Sequence, residues 1–269
     1  MSKRIERIRA DELLAENPSV NSRSKAKTLI MAGEVSYQEQ RIIKPSQMLP
    51  KDAQLVIKQP LRYVGRGGFK LEKALESFDI SPEGLVAVDI GASTGGFTDC
   101  LLQNGAIKVY CVDVGYGQLA SNLVNDNRVV VMDRTNARHL TEECFDNRPL
   151  CATVDCSFIS GFKIIEPLKR ILGEPGWIVW LLKPQFEVGP GKVGKGGVIR
   201  KKNILSEAIE NALVGVSGVG AQIRNVTQSP ITGTDGNHEF LVYLDFRIEN
   251  GLSILDSVER MLQGLSLKQ

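Results

Sequence analysis

Histidine is scarce in this chain and cysteine is odd in number. Two histidines, His139 and His238, among 269 residues are too few for a histidine-based metal centre. The five cysteines (Cys100, Cys111, Cys144, Cys151 and Cys156) are odd in number and show no CxxC spacing. That argues against both a zinc site and a disulfide framework, and for a reducing, cytoplasmic setting. No apolar run approaches the ~20 residues needed to cross a bilayer. The opening MSKRIERIRADELL sets acids where an export signal carries its apolar segment. The expectation is therefore a cytoplasmic protein that works away from membranes. With 42% hydrophobic and 24% charged residues, it has an ordinary globular composition and enough length for one medium domain and a small one.

Charge is unevenly placed. Residues 1–73 hold 15 Lys/Arg against 8 Asp/Glu, whereas the remainder holds 18 against 23, for a net charge of +2. A basic front end on an acidic body points to a polyanion bound at the front. Residues 1–60 read as their own unit. ADELLAEN is a short helix, and Asn21 or Ser22 can cap a second, SRSKAKTLIMAG, which Gly33 ends. Strand-like pieces EVSYQ, RIIKPSQ and AQLVIK follow. On the second helix Arg23, Lys25 and Lys27 crowd the first turn, with Ala26, Leu29, Ile30 and Met31 expected inward. Cations at that end oppose the helix dipole but suit a phosphate partner. RADELL, SRSKAKTLIMAGEV and IIKPSQML together resemble the small S-four-type RNA-binding domain, except that VSYQEQ replaces the Val-Asn-Gly turn usual there.

Residues 61–68 read as a linker, with Gly65, Gly67 and Gly68 breaking structure before an amphipathic helix from Lys70 to Phe78 that turns Leu71, Ala74, Leu75 and Phe78 inward. From 69 to 269 the chain alternates. LVAVDIG, KVYCVDVG, RVVVMD, CATVDCS and WIVWLLK read as strands, with helical stretches at 97–104, 118–125, 159–172 and 203–216 between or after them. AQIRNVTQS and EFLVYLDFR close as an antiparallel hairpin, and Ile254, Leu255, Val258, Met261 and Leu262 mark a terminal helix face. The pattern predicts an α/β fold: a Rossmann-like, doubly wound, mostly parallel sheet covered by helices, behind a small N-terminal α+β domain.

AVDIGASTGGFTDCLL is a strand, a glycine-rich turn and a helix start, without the G-x-G-x-x-G spacing of a dinucleotide fold. Asp89, Asp113 and Asp133 stand near the ends of three successive strands. Acids there are unfavourable beside a pyrophosphate and suit a cationic, phosphate-free cofactor, which S-adenosylmethionine is. The candidate cofactor contacts are Asp89, Gly91, Ser93, Gly95, Gly96, Phe97, Asp113, Asp133 and Arg134. GPGKVGKG nearly matches a phosphate-binding loop, but Gly196 stands where the magnesium-binding hydroxyl is needed. It reads instead as a basic loop beside the site.

The fourth strand runs into Asp155 and the fifth into Lys183. Glu239 begins the last strand, and Lys70 opens the helix before the first. This set resembles the Lys-Asp-Lys-Glu tetrad of FtsJ-type ribose 2′-O-methyltransferases. Together with YVGRGGFKL, DIGASTGGFTD, DRTNAR, DCSFIS, LLKPQFE, GKGGVIR and GNHEFL, it resembles the TlyA family. Small departures are Gly65, where serine is common, and Lys201, where an acid often stands.

The resemblance implies methylation of cytidine 2′-hydroxyls in 16S or 23S ribosomal RNA. It also implies Lys70, Asp155, Lys183 and Glu239 as catalytic residues, ribosomal RNA or subunits as partner, and a monomer or weak homodimer. Candidate RNA contacts are Arg4, Arg7, Arg23, Lys25, Lys27, Arg66, Lys192, Lys195 and Arg200. A ribose hydroxyl is a weak nucleophile that must lose its proton as the methyl moves, which an amine at position 183 can assist. Two other classes compete: a membrane-lytic protein, suggested by the hemolysin label that family carries, and a noncatalytic RNA-binding assembly factor.

Overall fold

A computed structural model describes residues 6–18, 20, 22–58, 62–188, 193–194, 196–233, 236–247 and 251–265. The chain divides into two compact units, Met1–Arg62 and Tyr63–Gln269.

In the first unit, β1 (Arg7–Arg9) leads into α1 (Ala10–Ala15). It is followed by α2 (Arg23–Met31), β2 (Val35–Tyr37), β3 (Gln40–Arg41), β4 (Met48–Pro50) and β5 (Val56–Ile57). β1 pairs with β4, and β3-β2-β5 form a second small sheet. Ala10, Leu14, Val20, Ala26, Ile30, Val35, Ile42 and Leu49 make the core. Ser22 caps α2 by accepting from the Lys25 amide at 3.1 Å. The buried Asp11 carboxylate takes Arg9 Nε at 2.9 Å and Arg23 Nε at 3.2 Å, and these guanidinium groups hold it down to about 2. Three details differ from the sequence reading. Met31 is 75% exposed, because the buried stripe of α2 is no wider than Ala26 and Ile30. Most of RIIKPSQ is irregular, and the strand lies just beyond it at β4. β1 was not expected at all.

The second unit opens with α3 (Gly67–Phe78). Then come β6 (Val86–Ile90), α4 (Gly96–Gln103), β7 (Lys108–Val112), α5 (Ser121–Val124), β8 (Val129–Met132), β9 (Cys151–Val154) and α6 (Phe162–Ile171). β10 (Trp177–Leu182), α7 (Lys202–Gly218), β11 (Gln222–Gln228), β12 (Phe240–Asp245) and α8 (Ile254–Leu262) complete it. Its described strands form one sheet in the order β11-β12-β10-β9-β6-β7-β8. The five strands from β10 to β8 run parallel, while β12 is antiparallel to both neighbours. All six residues of β10 are buried, as its unbroken apolar run requires at the centre of a sheet covered on both faces. Strand order reverses beside β6, where such folds bind ligands.

The helix predicted from Lys70 starts three residues earlier, and two of the glycines thought to break structure, Gly67 and Gly68, lie inside it. Gly68 packs its backbone against the buried Tyr63 ring, which a Cβ there would overlap, and a Cβ at Gly96 would stand 3.0 Å from the Gly68 nitrogen. Leu71, Ala74, Leu75 and Phe78 are buried; full burial of a large apolar side chain stabilises by about 1.5–3 kcal/mol. Leu255 of α8, expected on the packed face, is 70% exposed. Gly68→Ala is expected to destabilise the second unit by about 1–3 kcal/mol through overpacking. Urea denaturation checks this, and wild-type stability would refute the close-approach account.

Candidate active site

Parallel register sets the site. Ile90 of β6 pairs with Val112 of β7 and with Val154 of β9, so Gly91, Asp113 and Asp155 come level one residue past their strands. On the other side Leu182 of β10 pairs with Phe240 of β12, so Lys183 leaves the sheet where Glu239 enters it. Along one edge the chain therefore places Glu239, Lys183, Asp155, Gly91 and Asp113 on five adjacent strands.

Two ion pairs form there. Lys183 Nζ lies 2.5 Å from Asp155 Oδ1 and donates to Ser157 Oγ at 3.0 Å. Lys70, in the first turn of α3, places its Nζ 2.5 Å from Glu239 Oε2. The Lys70, Lys183 and Glu239 side chains are 12%, 11% and 4% exposed, sheltered enough for the charges to act strongly on a neighbour while remaining reachable.

Beside Asp155 opens a cleft of about 490 Å³ lined by Ile90, Gly91, Ser93, Asp113, Ala137 and Phe158, among others. A smaller hollow of about 120 Å³ shares Gly91, Ser93 and Asp155 with it and adds Gly67, Gly96 and Phe97. Gly91, at φ +83°, lets the chain pass so close to the Asp155 carbonyl that a Cβ would overlap it. Asp113 accepts from the Ser93 amide at 2.8 Å and the Gly115 amide at 2.7 Å. Its oxygens keep lone pairs free for a diol. Cys156 lies on the cleft floor, its thiol pushed up to about 12 by burial and then by the Asp155 charge, so it is no nucleophile. A larger groove of about 720 Å³ sits at the opposite sheet edge, but its Arg148 is tied to Glu142 and three carbonyls and its Arg247 to Asp245.

The FtsJ-like methyltransferase family matches residues 63–246. The chain belongs to that family. It is 40% identical over 266 residues to the 16S/23S rRNA (cytidine-2′-O)-methyltransferase TlyA of Mycobacterium tuberculosis, covering 95% of this chain and 97% of that one. It is 41% identical to Hemolysin A of Brachyspira hyodysenteriae, over 88% and 99%. The solved structure of a proposed hemolysin from Streptococcus thermophilus superposes with a TM-score of 0.71 at 39% identity, over 95% of each chain.

The methyl donor of an FtsJ-like methyltransferase with this fold is S-adenosylmethionine, and the cleft fits it. Asp113 faces the opening with lone pairs to spare, apolar Ile90, Val112 and Ala137 offer a surface for a base, and Asp155 supplies negative charge. The Gly67, Gly91 and Gly96 backbones leave the smaller hollow open.

Not every expected cofactor residue reaches the cleft. Asp89 is fully buried beneath it, with Oδ2 accepting from Thr98 Oγ1 at 2.7 Å and Oδ1 from Thr153 Oγ1 at 2.8 Å. It supports the loop from below. Gly95 turns the chain into α4. Asp133 accepts from the Gly117 amide at 2.8 Å, and the Arg134 guanidinium lies 4.4 Å from the centre of the Tyr116 ring. Both brace the 114–118 loop, while Thr135 to Arg138 line the cleft. Of the expected RNA contacts, Arg7, Lys25, Lys27, Arg66 and Arg200 are exposed, and Arg23 is held by Asp11 and Glu12. Arg4, Lys192 and Lys195 lie outside the described residues.

Sequence reasoning missed Ser157 and Glu187. Glu187 accepts from Ser160 Oγ at 2.5 Å and the Gly161 amide at 2.8 Å. It thereby fastens the turn after Lys183 to the loop carrying Asp155 and Ser157. Burial raises its carboxyl above the usual range, against the pull of those two hydrogen bonds. The Phe158 and Phe186 rings, 4.9 Å apart, make a second link between the same segments.

Burial also raises Asp89, to about 6, against hydrogen bonds from Thr98 and Thr153. The folded state then holds this proton to higher pH than the unfolded chain, so its contribution is full below about pH 4 and lost as pH rises through 6. The stability of wild type relative to Asp89→Asn is expected to fall by about 2 kcal/mol from pH 4 to pH 7. Parallel urea curves for the two proteins would count against the buried charge.

Proposed function

We propose that this chain methylates the 2′-hydroxyl of a ribose, that of a cytidine in 16S or 23S ribosomal RNA, at the edge where the two Lys–carboxylate pairs meet the cleft. The observation that carries the reading is the convergence of Lys70, Asp155, Lys183 and Glu239, which come from distant parts of the chain. The name borne by the Mycobacterium tuberculosis relative supports the nucleotide and the RNA.

When bound, the cofactor supplies an electrophilic methyl on a sulfonium. Asp113 would accept from the diol of its ribose, and Gly91 and Ser93 would leave room for the chain that carries the sulfur. Such a donor would give its methyl to the 2′-oxygen and retain the electron pair of the carbon–sulfur bond. Displacement of this kind must be in line, so much of the acceleration comes from holding the hydroxyl in position. Lys183 acts either as an ammonium that orients that hydroxyl, which then loses its proton to solvent, or, once its own ammonium proton has left to solvent, as the neutral amine that takes the hydroxyl proton. Asp155 and Ser157 fix the amine in direction, while Lys70 and Glu239 set the field on its other side.

The first unit delivers the RNA. Lys25 and Lys27 are exposed near the acid-free start of α2, where the helix dipole already favours an anion. Asp11 and Glu12 set Arg23 in direction at the same end.

Lys183→Ala is expected to bind S-adenosylmethionine within about twofold of wild type and to transfer tritiated methyl to ribosomal RNA about 10²–10⁴-fold more slowly. Near wild-type turnover would end the assignment. Replacing Lys25 and Lys27 together by Glu should weaken RNA binding and lower the slope of log affinity against log salt by roughly 1–2. An unchanged slope would remove α2 from the RNA interface.

A further inference from the structure

The Lys70–Glu239 pair depends on a strand end that hangs from a long connection. Between the end of β11 at Gln228 and the start of β12 at Phe240 the chain makes an excursion with no secondary structure of its own among the described residues. A loop of that length has many conformations, yet Glu239 must arrive with its carboxylate on one amine.

Inside this loop Asn237 is 3% exposed. Its Oδ1 accepts from the Ile199 amide at 3.0 Å, and its Nδ2 donates to the Gly197 carbonyl at 2.9 Å. One carboxamide thus satisfies the donor and the acceptor of a separate segment, as a neighbouring strand would. Its own carbonyl accepts from the Gly233 amide at 2.9 Å, which closes the loop, and Ser229 donates to the Glu239 carbonyl at 2.9 Å. Gly233 in turn lies so close to Glu239 that a Cβ there would stand 2.7 Å from Oε1. The segment that Asn237 holds is itself anchored by the buried Ile199 and continues into the exposed Arg200.

We infer that Asn237 is a positioning residue for methyl transfer: its carboxamide locks the returning loop so that Glu239 meets Lys70, and it ties that pair to the Gly197–Arg200 segment. The inference rests on the reading of Lys70 and Glu239 as part of the catalytic centre. The chemistry at this position is narrow. Alanine leaves the buried Ile199 amide without this partner and removes the donor to the part-buried Gly197 carbonyl. Ionised aspartate can serve the Ile199 amide but turns an acceptor toward the Gly197 carbonyl. Asn237 does not line the cofactor cleft, so its loss acts on transfer and leaves cofactor affinity alone.

The test is a double-mutant cycle on the full chain, with Asn237→Ala and Glu239→Gln singly and together. It reads single-turnover transfer of tritiated methyl to ribosomal RNA, followed long enough to quantify very slow rates, and S-adenosylmethionine affinity by calorimetry. Asn237→Ala is expected to slow transfer about tenfold or more with cofactor affinity within about twofold of wild type. In the Glu239→Gln background the same change should slow it by no more than about twofold, because the group it positions is already gone. Wild-type transfer by Asn237→Ala, a loss of cofactor affinity matching the loss of rate, or full multiplicative loss in the Glu239→Gln background would each overturn the inference. Should Asn237→Ala fail to show a cooperative melting transition, Asn237→Asp enters the same cycle with the same expectations. Glu239→Gln turning over at the wild-type rate would instead strike the catalytic reading of the pair itself, a result separate from any seen with Asn237.

Discussion

The chemistry of this molecule depends on the register of β10. That strand is parallel to β9 on one side and antiparallel to β12 on the other, and it is buried along its whole length. Slipping either pairing by one residue would turn every side chain of the moved strand to the opposite face, and the apolar core forbids that. The same register that buries Trp180 and Leu182 therefore delivers Asp155, Lys183 and Glu239 side by side. Lys183 ends on an amine because it has just left the sheet: the apolar run stops where the layers stop covering it.

Sheltered charges of this kind are poor sources of stability. Desolvating an ammonium and a carboxylate offsets most of what their attraction returns. The two lysines and two carboxylates balance in sign, and each is further restrained by a local device. Ser157 and Asp155 hold Lys183, and Glu187 pins the loop that carries them. Asn237 stands in the same relation to Glu239. Both braces bind backbone groups of a neighbouring segment, so each sets the course of a chain rather than the rotamer of one side chain. A reaction whose rate rests on holding one oxygen in line with one carbon rewards rigidity of that kind.

Much of this was legible before any coordinates. The strand and helix order and the hairpin at the edge follow from apolar periodicity; counting to strand ends marks Asp155, Lys183 and Glu239, and the resemblance to the FtsJ-type tetrad joins Lys70 to them. What was not legible has physical reasons. β1 and β4 are three residues each, too short to carry a period. Gly67 and Gly68 look like breakers because glycine disfavours helix, and the need for a bare backbone at Gly67 beside Phe97 and at Gly68 beside Tyr63 is a tertiary fact. Asp89 was misplaced by a miscount that register corrects. Asp113, Asp133 and Asp155 each stand one residue past their strands, whereas Asp89 lies within β6, one residue before its end, and turns inward to Thr98 and Thr153. Asn237 and Glu187 left a faint signal, polar residues close to a catalytic candidate, but nothing in spacing says which segment they hold.

Relatives of this chain carry two kinds of name, methyltransferase and hemolysin, and the packing of its amphipathic helices bears on the second. Among the described residues no helix is long and apolar enough to cross a membrane. Lysis by amphipathic helices would need apolar faces that can be released. α6 buries Ile164, Ile165, Leu168 and Ile171, and α8 buries Val258, Met261 and Leu262, all in one continuous core with β9, β10 and β12. Freeing either helix would uncover that core and dissolve the edge on which Lys183 and Glu239 stand. Membrane insertion by that route and an ordered cofactor cleft are thus mutually exclusive states of the chain, and the packing that makes these helices amphipathic is already fully used in holding the cleft together.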